Sequence, residues 1–136
     1  MMEVVGVPRE GCIFVVAAGN EGLDLDRFAS YPASYDHVDL LTVAAVDSEG
    51  RLTGGSNWGA GTIDLGAPGA EGSSAAASAV SGTAAQLLLT ERRLTASDLR
   101  MVLRATADAR DDLRHRTVTG GVLDAGAAQR AAVCRV

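Results

Sequence analysis

Apolar positions fall along this chain in blocks separated by turn residues. Ile13 to Ala18 is a continuous apolar run closed by Gly19-Asn20, and Leu40 to Val46 is a second, broken only by Thr42 and closed by D-S-E-G. Short runs of this kind suit strands buried on both faces of a parallel sheet. Thr62 to Leu65 is expected as a third strand, ended by G-A-P-G. A loop from Glu21 to Asp39, rich in Asp, Ser, Tyr and Pro, joins the first two strands. A Gly-rich stretch, G-G-S-N-W-G-A-G, is expected to make an extended pass over the surface before the third. After Gly72 the pattern becomes helical. Ser73 to Leu89 contains no charged residue, which predicts a helix apolar all round at the centre of the domain. Thr95 is placed to cap a second helix, with Asp98 three residues on and Leu99, Val102 and Leu103 as its apolar stripe. A polar link through Arg110, Asp111, Asp112 and Arg114 then leads to a turn and a last short helix. Strands alternating with helices predict an α/β fold built on a parallel sheet, and no repeat or linker divides residues 1–136 into more than one domain.

Composition narrows the functional classes. At 136 residues the chain is large enough to bury about 70% of the surface its unfolded form exposes. Aromatic residues are only 4% of the total, so the core is expected to consist of Ala, Val and Leu. A net charge of −5 excludes a nucleic-acid partner, which requires a basic stripe. No apolar run reaches the ~18 residues of a membrane span. The amino terminus, M-M-E-V-V-G-V-P, lacks the basic start and long apolar stretch of a secretion signal, so a cytoplasmic location is the default. Cys12 and Cys134 are too few for a disulfide framework, and Cys12, leading into an apolar run, is expected to be a small buried residue.

The segment G-S-S-A-A-A-S-A-V-S-G, Gly72 to Gly82, puts the hydroxyl of Ser74 at the mouth of the long helix, where the positive end of the dipole and free backbone N–H groups favour an oxyanion. Together with V-V-A-A-G-N-E-G, Y-P-A-S-Y, L-L-T-V-A-A-V-D and I-D-L-G-A-P-G, it resembles, in order and rough spacing, the carboxy-terminal half of subtilisin-like serine proteases. The resemblance runs from about Gly11 to the end. It implies a three-layer α/β sheet with helices on both faces, lacking the family's amino-terminal strands. It also implies that Ser74 stands at the position of the nucleophile and Asn20 at that of the asparagine donating to the oxyanion. Ala17, Ala18 and Gly19 would form one wall of the substrate side-chain pocket, beside a Tyr31-Pro32 bend that often has a cis peptide bond in this family. Carbonyls of the Tyr31 to Val38 loop align with a weak cation site of some relatives. No cluster of side-chain ligands supports a metal there, so neither metal nor cofactor is expected.

The chain also departs from the family pattern. The family's aspartate and histidine precede the A-A-G-N segment, and His37 and His115 fall in no matching motif. Ala75, Ser78 and Ala79 stand where the family has Met, Pro and His. The favoured expectation is therefore a truncated subtilisin-like pseudoprotease, a binding or scaffold domain with a peptide as ligand. The alternative is the serine-bearing half of a split endopeptidase completed by a partner chain. A third reading is a cyclase or isomerase reusing the oxyanion site. In each case the Ile13 to Ala18 strand would be an exposed edge, expected to be covered by a second copy or another protein.

Overall fold

The computed structural model describes residues 12–134. Strand β1, Phe14–Ala17, lies parallel to β2, Leu40–Val46, with Phe14 opposite Leu40 and Ala17 opposite Val43. Strand β3, Leu65–Pro68, continues the parallel run on the far side of β2. Helix α1, Ser73–Thr90, follows, then α2, Ala96–Ala105. A two-residue strand β4, Asp108–Ala109, a 3-10 turn at Asp111–Leu113, a two-residue strand β5, Gly121–Val122, and helix α3, Ala125–Cys134, complete the order. The five strands are arranged β1-β2-β3-β5-β4, with only β4 antiparallel to its neighbour. This is the expected α/β sheet.

Every residue of β2 is buried, as a central strand with apolar side chains on both faces requires. Leu41, Val43 and Ala45 point to one face and pack with Ala76, Val80, Ala84 and Leu87 of α1 and with the inner stripes of α2 and α3. Ala44 points to the other, against Ala18, Leu25, Ala33 and Ile63. Among the described residues the three α-helices thus share one face, and loops with the 3-10 turn cover the second. The second helix is capped as expected: Thr95 and Asp98 each accept from the other's backbone N–H, and Leu99, Val102 and Leu103 are buried.

Four expectations need correction. The third strand begins at Leu65, not Thr62, because Thr62 and Ile63 close a turn on the Gly59 carbonyl and the Asp26 carboxylate holds the Gly61 N–H and the Thr62 hydroxyl. The strand runs on through Gly66, where a Cβ would lie 2.8 Å from Val46 Cγ1 and 2.9 Å from Leu113 Cδ1. The Gly-rich stretch is only partly a surface pass: Gly54, Gly55, Ala60 and Gly61 are exposed, but Ser56, Asn57 and Gly59 within it are buried. Cys12 is exposed rather than buried. Helix α1, finally, is not enclosed among the described residues. Ser73, Ala76, Val80, Thr83, Ala84 and Leu87 are buried on one face, while Ser74, Ser78, Ser81 and Ala85 are exposed and Leu89 is 75% exposed. Its lack of charge reflects two uncharged faces, only one of them packed.

Strand β1 contrasts with β2. All four of its residues are half-buried, and its outer edge pairs with no strand among the described residues. In the turn after β2, the backbone N–H groups of Arg51 and Glu49 hold the Asp47 carboxyl below the ordinary aspartate range, which fixes the D-S-E-G turn.

Candidate functional site

In a parallel sheet the carboxyl ends of β1 and β3 meet at one rim, so the residues after Ala17 and those opening α1 are brought together although about fifty positions apart. Gly72, the N-cap residue of α1, has no side chain to satisfy the helix's free N–H groups. Asn20 does this from the end of β1: its Oδ1 accepts the Ser73 N–H at 2.8 Å. In return, the Ser73 hydroxyl accepts the Gly19 N–H at 3.0 Å. With Oδ1 so engaged, the Asn20 carboxamide keeps Nδ2 as a donor. Gly72 has φ 128°, and a Cβ there would sit 3.1 Å from Asn20 Oδ1, so the approach of the asparagine requires glycine.

The loop presenting Asn20 is held by a residue that sequence reasoning missed. Asn57, fully buried in the Gly-rich segment, donates from Nδ2 to the Ala18 carbonyl at 2.9 Å and to Glu21 Oε2 at 2.6 Å. Its Oδ1 accepts the N–H groups of Glu21 at 3.1 Å and Leu23 at 2.8 Å, and its own N–H donates to the Gly19 carbonyl. The asparagine thus brackets Asn20 on both sides of the chain. Gly19, at φ 102°, would place a Cβ 2.5 Å from Asn57 Nδ2. The available signal was the S-N-W-G tetrapeptide: a polar amide among glycines commonly bonds neighbouring backbone.

Ser74 lies one residue into the helix and is exposed. Its carbonyl accepts the Ser78 hydroxyl, while its own Oγ has no hydrogen-bond partner among the described residues. His37 is at the other end of the sheet. It precedes β2, with Nδ1 accepting the Asp39 N–H at 3.1 Å. His115 lies between Leu113, which packs against Val46 at the carboxyl end of β2, and Val118, whose N–H donates to the Ile63 carbonyl ahead of β3. The seven residues of β2 at ~3.3 Å each put about 20 Å between the two rims.

Of the remaining expected residues, Ala18 is buried and Ala17 and Gly19 are half-buried at the end of β1. The Tyr31–Pro32 peptide is cis, and Tyr31 is exposed against Tyr35 with ring centroids 4.7 Å apart. Ala33, next to that bend, packs in the same buried cluster as Ala18, which ties the bend to the end of β1. Among the described residues no group of three or more His, Cys, Asp or Glu could hold a metal ion, and no helix is long and apolar enough to cross a membrane.

A parallel α/β sheet with a serine at the mouth of the helix after β3, and an asparagine from β1 leaning on that helix, is the arrangement expected of subtilisin-like serine proteases. The sequence model of the subtilase family matches residues 5–122, and the chain belongs to that family. No curated protein matches it. The A-subunit of the AB5 toxin from E. coli superposes with a TM-score of 0.80 at 26% identity, over 88% of this chain and 50% of that one. A protease from Pseudoalteromonas arctica gives 0.74 at 25% identity, over 90% and 43%. A cold-adapted subtilisin-like serine proteinase gives 0.70 at 28% identity, over 85% and 45%. The chain spans about half the length of these solved relatives.

Proposed function

We propose that this chain by itself is a non-hydrolysing, peptide-binding half of a subtilisin-like site. Ala17 to Gly19 and the Tyr31–Pro32 bend form one wall for a substrate side chain. Asn20 Nδ2 and the N–H groups opening α1 receive the peptide carbonyl at Ser74. The observation that carries this reading is that Ser74 Oγ makes no hydrogen bond to an imidazole or any other group among the described residues, with His37 at the opposite rim of the sheet. A serine hydroxyl without a base is a weak nucleophile, and loss of the triad lowers kcat by on the order of a million-fold in such enzymes. Incubated alone with a fluorophosphonate probe, the chain is expected to remain unlabelled at Ser74. Labelling of that hydroxyl in the isolated chain would refute the proposal.

A second reading, completion by a polypeptide that supplies the aspartate and histidine, is favoured by the Asn20–Ser73 and Gly19–Ser73 bonds, which keep the helix mouth ready for an oxyanion. The uncharged outer face of α1 and the open edge of β1 are where such a polypeptide, or a second copy of the chain, would sit. Under this reading, probe labelling appears only once that polypeptide is added, and Ser74→Ala abolishes it.

A further inference from the structure

The amino rim of the sheet holds a polar cavity of about 530 Å³. Two guanidinium groups line it, from Arg100 and Arg104, four residues apart and so on the same side of α2. Between them is one buried carboxylate, Asp64. Its Oδ1 lies 3.5 Å from Arg100 Nη2 and 3.4 Å from Arg104 Nε. Its Oδ2 is taken up by the backbone N–H and the hydroxyl of Thr42, at 2.8 and 3.0 Å. Arg100 also donates from Nε to the Leu40 carbonyl at 2.9 Å. Arg104 is different. Its Nε is buried without a hydrogen bond, and its guanidinium makes none among the described residues beyond the off-axis approach to Asp64.

Two fixed cations therefore share one buried anion, leaving a single positive charge on a partly desolvated wall. The other carboxylate of the lining, Asp36, is exposed and solvated, so it offsets that charge weakly. His37 also lines the cavity. With Nδ1 occupied by the Asp39 N–H, its neutral form carries the proton on Nε2 as a further donor. A planar fork of unused guanidinium donors matches a carboxylate in two parallel hydrogen bonds. A single charge is the right complement for one uncompensated cation, whereas a phosphate group would overbalance it.

We propose that this cavity is a carboxylate-binding site, with Arg104 as the principal donor and Asp64 holding both guanidiniums in place. The ligand's carboxylate comes either from a small organic acid or from the free carboxyl end of a peptide. The site is at the opposite rim from Ser74, and the proposal does not depend on the function assigned to that serine.

The test is a titration of the full chain followed by nuclear magnetic resonance, reading the Arg104 Nε–Hε and Thr42 amide signals. Sodium acetate is compared with acetamide and with sodium chloride at matched ionic strength. Acetate is expected to move both signals saturably while acetamide and chloride do not. Arg104→Gln, checked for a dispersed spectrum, should weaken acetate binding about tenfold or more. An acetylated alanine tripeptide and its carboxy-terminal amide separate the two sources: saturation by the free acid alone selects a peptide end, and silence from both confines the site to small acids. Equal responses to acetate and acetamide, or undiminished acetate binding in folded Arg104→Gln, overturn the proposal. If that variant does not fold, the acetate and acetamide arms on the unaltered chain decide alone.

Discussion

The two rims of this sheet position polar groups by opposite means. At the carboxyl rim, Asn20, Asn57 and Ser73 are uncharged, and the amide of Asn57 spends every hydrogen-bonding capacity it has on four partner groups, three of them backbone and one the Glu21 carboxylate. At the amino rim, Asp64, Arg100 and Arg104 are charged, and their capacities do not balance. Saturated bonding gives a rigid loop, because each partner left without its bond carries a desolvation penalty. Charged, unbalanced bonding leaves an unspent field that an outside ion can use. The carboxyl rim is thus built to hold backbone in one shape, and the amino rim to hold side chains ready.

This contrast makes an ordered set of predictions for chemical denaturation. Asn57→Ala is expected to be the most damaging, by about 3–4 kcal/mol, since it strands two backbone donors and a buried carbonyl at once. Asp64→Asn should cost about 2–3 kcal/mol. Its loss leaves two cations facing each other, but Arg100 and Arg104 are 23% and 31% exposed and can turn toward water. If the aspartate change proves the larger, the view of the carboxyl rim as the stiffer one fails. Thr95→Ala should be mildest, at about 1 kcal/mol, because it removes only one half of a reciprocal cap on the helix carrying both arginines. A greater loss there would mean that the start of α2, and not Asp64, chiefly orders the arginine pair.

How far these features could be read from sequence depended on whether the controlling contact was local. Strand β2 was legible because seven residues buried on both faces make an unbroken apolar run. The Thr95 cap was legible because its partner is three residues away. Strand β3 was displaced by three residues because Gly66 and Pro68 carry turn signals, whereas here Gly66 serves the close approach of Val46 and Leu113. The two-residue strands β4 and β5 have no periodicity to detect. At the candidate site, Asn20 and Ser74 were found through their family motifs. The clamp from Asn57 escaped because its partners are 34 to 39 positions away. The arginine pair escaped because a half-buried Arg on an amphipathic helix looks, in sequence, like any solvated one.

The borrowed cap on α1 has a consequence for how the molecule comes into being. The hydrogen bonds at its first turn span 53 and 54 positions of chain, and contacts of such range form only after long loops have closed. The surroundings of Ser74 are accordingly a late product of folding, absent from any nascent or partly unraveled form. Reactivity toward acyl groups, if a partner ever confers it, would then be confined to molecules whose sheet is already complete.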